Sequence, residues 1–336
     1  MDTRTALIIA LMLLTAVTIA GHSILQRLIR REEYFSKREV LISQNFVGVL
    51  IFAPLALIFE PSIRVPTPNL TVFWVGVAIT TCANVIIQWA NIQAISLTEA
   101  SRVAPIQAMT PGIVVFVAMA LGEYPSILGY AGIFLIMSGN YAHLREGAGW
   151  RSYFEPLFFW KLGRRILLAF FRSDVVLTDD EKGLGWAYLS AICGTIGLVG
   201  DSLTARSGSV TLGFTIHLVV LGLVFAVIVP RDTIKETGAF LSRLKSHGLL
   251  LVGMGLIFGT HVLLPLLAFR LAPVAYIGSL KRLWIIVAVL LAWMILGEKK
   301  ALRRLIPATI VTIGAVILVF DPAQEKIIQH AFQLFK

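Results

Sequence analysis

Stretches free of Asp, Glu, Lys and Arg recur along the chain at the length of a bilayer crossing. They occupy residues 5–26, 40–59, 70–97, 103–122 and 124–144, then 184–200, 207–230, 246–269, 271–297 and 305–320. A transmembrane helix needs about 20 largely apolar residues. The pattern therefore predicts ten spans, five on each side of a polar interval at 145–183. The ninth run alone is interrupted, by Lys281 and Arg282. The first run is long, ends in the basic cluster Arg27, Arg30 and Arg31, and has no small-residue cleavage site. It reads as a retained helix, not a signal peptide. The expected fold is an all-α membrane protein.

Composition narrows the class further. Charged residues make up 14% of the 336 positions and hydrophobic ones 57%, with a mean hydropathy of +0.83. Soluble domains carry roughly 25% charged residues, so a soluble enzyme, a nucleic-acid-binding domain and a disordered chain are all excluded. The net charge of +10 then needs another explanation. Of the 29 Lys and Arg, 21 fall in the loops after spans 1, 3, 5, 7 and 9, and six fall on the other side. The remaining two are Lys281 and Arg282. Cytoplasmic loops hold the excess of Lys and Arg, which places both termini outside the cytoplasm. The segment 150–172 interleaves Trp150, Phe158, Trp160 and Phe170 with Arg151, Lys161, Arg164 and Arg172. Such a mixture suits an interfacial helix on an anionic leaflet. The tail at 321–336 repeats this weakly, with Ile327, Phe332 and Phe335. Cys82 and Cys193 lie in apolar runs and imply neither a disulfide framework nor a Cys metal site.

Sliding the chain by 175 positions superimposes its two halves. Leu121-Gly122-Glu123 falls on Leu296-Gly297-Glu298, and Arg31/Arg206, Ala100/Ala275, Val114/Val289, Met119/Met294 and Gly139/Gly314 also coincide. Five spans per copy is an odd number, so the second copy must sit inverted. Inverted repeats are a secondary-transporter architecture, with substrate held near the midplane. The divisions expected are a first five-helix repeat at 1–144, a basic and aromatic linker at 145–183, a second repeat at 184–320 and an amphipathic tail at 321–336.

The segments from Ala100-Ser101-Arg102-Val103-Ala104-Pro105 to Leu121-Gly122-Glu123, and from Ala272-Pro273-Val274-Ala275-Tyr276 to Leu296-Gly297-Glu298, resemble the EamA-like repeats of the drug/metabolite transporter superfamily. That resemblance implies ten helices, a central cavity lined by helices 1, 3, 4, 6, 8 and 9, and alternating access. It also implies termini in the cytosol, against the charge count. Gly278-Ser279-Leu280-Lys281-Arg282-Leu283-Trp284-Ile285 is similar to the ninth helix of the plastid phosphate translocator branch, where an adjacent Lys-Arg holds substrate phosphate. That branch has a further lysine on helix 4, and Gln107 stands at the matching position here.

Polar residues inside the spans are the candidate site. Lys281 lies about 4.5 Å from the centre of span 9 at 1.5 Å per residue. A central Lys or Arg costs about 2.5–3.5 kcal/mol on insertion scales, so the pair Lys281 and Arg282 needs a wet cavity, an acidic partner or an anionic ligand. Asn84, Gln88 and Asn91 share one face of span 3, with Trp89 about 100° round from Gln88 at 3.6 residues per turn. Buried amides must meet protein or water, as packing contacts or as cavity lining, and Gln107 on span 4 has the same two readings. Asp201 ends span 6 in this reading, and is the acid best placed to balance Lys281 or carry a coupling proton. His217 and His261, in spans 7 and 8, are further proton-carrier candidates.

No intramembrane protease motif is present. Leu198 stands where a Gly-x-Gly-Asp turn ending at Asp201 needs its first glycine, and Ser138-Gly139 lacks the preceding glycine of a serine motif. No metal-ligand spacing occurs. The expectation is a transporter without catalytic residues, cofactor or metal. Its partners would be a small-molecule substrate and membrane lipids, not nucleic acid, and a homodimer is compatible with these features. The expected location is a bacterial inner membrane or another plasma or organelle membrane. The substrate expected is a small anionic metabolite bearing phosphate or carboxylate. The alternative is an exporter of amino acids or other amphipathic compounds in which Lys281 and Asp201 are purely structural.

Overall fold

A computed structural model describes residues 3–59, 69–107, 110, 126–144, 165, 177–228, 237–271, 277, 281, 283–298 and 300–319. Among them are ten α-helices and one 3₁₀ turn, and no strand. The helices are α1 (Thr3–Arg31), α2 (Lys37–Phe59), α3 (Leu70–Leu97), α4 (Ala100–Gln107), α5 (Ile127–Leu144), α6 (Asp179–Ser207), α7 (Val210–Ile228), α8 (Thr237–Leu271), α9 (Trp284–Leu296) and α10 (Leu305–Val319). Each falls on one of the ten apolar runs. Five of them, α1, α3, α6, α7 and α8, are long and apolar enough to cross a membrane. The linker around Arg165, most of span 4 and the tail lie outside the described residues.

Local sequence explains where the helices start and stop. Ser36 and Glu39 cap α2 reciprocally: Ser36 N–H donates to Glu39 Oε2 at 2.8 Å, and Glu39 N–H to Ser36 Oγ at 3.1 Å. Thr178 and Glu181 form the same capping box before α6. Gly297 ends α9 in the left-handed region at φ 66, where a side chain would be strained. Helix α6 corrects one expectation. It begins five residues before its apolar run and continues to Ser207, so Asp201 is inside the helix and not at its end. Asp179, Asp180 and Glu181 are favoured in the first turn by the helix dipole. At the other end Asp201 is tolerated because Thr80 Oγ1 donates to its carboxylate.

The bundle exposes large apolar side chains and buries a set of polar ones within its largely apolar core. Leu50, Ile127, Phe134, Val227 and Leu249 are exposed, while Gln44, Asn45, Gln88 and Ser101 are buried. That distribution suits lipid contact, since only internally satisfied polar groups survive in hydrocarbon. Two larger apolar clusters lie around Phe214, Phe225 and Phe269, and around Ile24, Ile285 and Val289. Helices α3 and α6 cross backbone to backbone. A Cβ on Gly200 would lie 2.6 Å from Thr80 N, and one on Gly76 2.7 Å from Thr204 N. Gly139 and Gly314, the pair related by the internal shift, both lie in the α5–α10 contact: a Cβ on Gly139 would lie 2.9 Å from Pro307 O, and one on Gly314 2.7 Å from Gly132 O.

One end of the bundle is tied by charge. Glu298 accepts from the Ala100 and Ser101 N–H groups at 3.1 and 3.2 Å and from Ser101 Oγ, so it caps α4. Arg304 donates to Ser101 Oγ and lies 2.5 Å from Glu99 and 3.9 Å from Glu298. Arg27 and Arg31 donate to the Ile95 and Leu296 carbonyls at 2.5 and 2.9 Å. These contacts join α1, α3, α4, α9 and the turn before α10.

Overpacking a close crossing typically costs about 1–3 kcal/mol. Gly200→Leu is expected to lower the melting temperature in detergent markedly. Gly21→Ala, whose Cβ would sit 3.9 Å from Ile257, is expected to leave it unchanged. Thermal unfolding of the purified variants checks both.

Candidate functional site

Two adjoining chambers of about 170 and 110 Å³ lie inside the bundle. Both are lined by Asn84, Asn91, Gln107, Asp201, His261 and Lys281, with Ile19 and Ile87 as apolar wall. Ser190, Thr110 and Trp284 line the larger one, and His22, Gln26, Gln88, His217 and Pro265 the smaller. Helices α1, α3, α4, α6, α7, α8 and α9, or the residues just before α9, contribute.

The geometry is set by amide pairs. Asn91 Oδ1 accepts from Gln107 Nε2 and from Ser190 Oγ, each at 2.5 Å, and so ties α3 to α4 and α6. Asn84 Nδ2 donates to the Thr80 carbonyl at 2.8 Å. Thr80 is thus engaged with both Asn84 and Asp201. Lys281 acts electrostatically on Asp201 and on His261. Cation, acid and three amides therefore face one space.

Gln88 has a different role from its neighbours on α3. It is buried, and its Oε1 accepts from Gln44 Nε2 and Asn45 Nδ2, both at 2.8 Å. Since Gln44 Nε2 donates to Gln88, Gln44 Oε1 is left to accept from His22 Nε2 at 3.1 Å. His22 accordingly carries its proton on Nε2. Its ring sits 5.0 Å from that of His261, centroid to centroid. Pro265 has no N–H, so the His261 carbonyl beside the chamber lacks its usual helical donor. His217 is buried and bonds Thr81 Oγ1 through Nδ1 at 3.1 Å.

The chambers gather most of the residues expected from sequence: Lys281, Asn84, Gln88, Asn91, Gln107, Asp201, His217 and His261. Trp89 is elsewhere, packed half-buried against the Phe214 cluster, because its 100° offset turns it from the amide face. Arg282 lies outside the described residues. Sequence reasoning did not single out His22, Gln26, Gln44 or Asn45 as site residues. All four are polar residues within apolar runs, the same signal that singled out Asn84 and Asn91. Among the described residues no group of three or more His, Cys, Asp or Glu side chains is arranged to hold a metal ion.

A comparison with protein families bears on what such a bundle does. Residues 6–143 match the EamA-like transporter family. The match supports membership of the drug/metabolite transporter superfamily. It also supports an integral membrane protein that transports small molecules. A comparison with curated proteins finds none that matches.

Gln88→Leu is expected to leave Gln44 Nε2 without its acceptor and Asn45 Nδ2 with the Leu41 carbonyl alone. An unsatisfied buried group costs about 1–3 kcal/mol, so the melting temperature should fall clearly. Trp89→Phe should leave the amide network intact and melt close to wild type. Thermal unfolding in detergent distinguishes the two.

Proposed function

We propose that the protein is a secondary transporter for a small polar anion, a phosphate- or carboxylate-bearing metabolite, working by alternating access. The observation carrying this reading is Lys281 in an internal polar space shared with Asn84, Asn91, Gln107 and Asp201. A cation enclosed in a bilayer-spanning bundle requires a charge partner or water. Asp201 supplies the partner while the space is empty, and an arriving anion takes its place. Arg282, adjacent in sequence, adds a guanidinium suited to bidentate capture of a phosphate or carboxylate. The amides then bond the polar body of the metabolite.

Ten spans in two inverted five-helix repeats supply the moving parts. This architecture is supported by the shift of 175 positions and by the place of its glycine pair, Gly139 and Gly314, in one helix–helix contact, each against the other's helix. The halves rock against each other and expose the cavity to one side at a time. His22 and His261, in ring contact beside Lys281, are placed to move a coupling proton, with His217 and Asp201 near them. The Asp201–Lys281 interaction also favours a second reading, in which that pair is structural and the cargo is an amino acid or another amphipathic metabolite.

Counterflow into liposomes of phosphorylated sugars, organic acids and amino acids separates these readings. Lys281→Ala alone would strand Asp201, so Lys281→Ala/Asp201→Asn is the informative variant. Hydrogen bonds to charged groups contribute about 1.5–3 kcal/mol, so anion counterflow should fall roughly 10- to 100-fold at 1.4 kcal/mol per decade. A folded double variant that carries anions at the wild-type rate rejects the anion site. Unchanged amino-acid counterflow in the same variant favours the second reading.

A further inference from the structure

A separate cleft of about 420 Å³ opens at the charged end of the bundle. It is lined by Arg27 and Arg31 of α1, Glu99 before α4, and Leu296, Gly297, Glu298 and Lys300 after α9. Its charges are unbalanced. Glu298 is committed to the α4 N-terminus and Ser101, and Glu99 to Arg304. Arg27 and Arg31 each spend one nitrogen on a backbone carbonyl, with Arg31 Nε also on Glu32. Lys300 is exposed, and no side-chain hydrogen bond or ion pair holds it among the described residues. Three cations and two hydrogen-bonded carboxylates therefore line the space, which leaves it an excess of one positive charge.

The cleft and the smaller chamber share one face of α1. Ile19, Ser23, Arg27 and Arg31 follow one another there at four-residue intervals. The first two line the smaller chamber and the last two line the cleft. Ser23 and Arg27 are about 6 Å apart along the helix axis. Ile24 of α1, Ala104 of α4 and Ile285 and Ala288 of α9, from the helices that border the cleft, are buried in one apolar cluster.

We infer that this cleft is a docking site for the anionic group of a small metabolite, a carboxylate or phosphate, at the mouth of the transport path. The site extends the anionic-substrate reading above and rests on it for the identity of its ligand, though not for its charge. Guanidinium and ammonium groups capture such an anion by charge-assisted hydrogen bonds. The cleft raises its local concentration beside that apolar cluster. Parting of Ile24 from Ala104 and Ala288 then joins cleft and chamber.

Radiolabelled inorganic phosphate and succinate, bound at equilibrium to the full chain in phosphatidylcholine nanodiscs, test this. Wild type is expected to bind two anions per chain. Arg31→Gln/Lys300→Gln should retain one, and Lys281→Ala/Asp201→Asn the other. If the double cleft variant does not fold, Lys300→Glu replaces it, with at least a tenfold loss in one of the two affinities. A wild-type isotherm in a folded cleft variant, for both anions, overturns the proposal. Loss of all binding in the cleft variant with no change in Lys281→Ala/Asp201→Asn upholds the cleft and rejects the central anion site. Displacement of the cleft anion in phosphatidylglycerol nanodiscs, but not in phosphatidylcholine, assigns the cleft to a lipid headgroup and overturns the docking role.

Discussion

Hydrocarbon offers no hydrogen bonds, so every polar group inside this bundle must find its partner within the protein or in a wet cavity. That constraint organises the interior. The Gln44, Asn45, Gln88 and His22 network closes on itself. The Asn91, Gln107 and Ser190 set ties three helices together at 2.5 Å contacts. Asp201 is held by Thr80 and faces the charge of Lys281. Residues that would each destabilise an isolated span become acceptable because they answer one another across helices.

The same constraint separates two kinds of helix contact. At Gly76 and Gly200 the backbones of α3 and α6 approach until a methyl group would clash. Further along the same side of α3, Asn84 and Asn91 border the chambers. A rigid crossing beside an open polar space is what a transporter needs to bind a solute without losing its frame.

Charge is distributed by a related rule. Outside the hydrocarbon, cations and acids gather at one end, where Glu298, Arg304, Glu99 and Ser101 tie α4 to the segment after α9. These contacts join residues about two hundred positions apart, so the end is closed by tertiary contact and not by local loops. In the shifted alignment Glu298 corresponds to Glu123, but Arg304 corresponds to Gly129 and Glu99 to Val274. The charged pair of Arg304 and Glu99 therefore has no counterpart in the shifted alignment.

Hydrophobic run length determined, from sequence alone, where ten helices form, because a bilayer-length apolar stretch has few other stable conformations. The same reading identified Lys281, Asn84, Asn91, Gln107 and Asp201, since polar residues in apolar runs stand out against their neighbours. It placed the α6 boundaries too narrowly, because charges at helix ends are stabilised by caps, by the dipole and by partners such as Thr80. Only the tertiary structure decided which polar residues pair with which. Gln88 and Asn91 look alike along α3 and both border the smaller chamber, yet Gln88 is tied to Gln44 and Asn45 of α2 while Asn91 is tied to Gln107 of α4 and Ser190 of α6. That difference depends on which helix packs against which face, and run length and periodicity do not specify it.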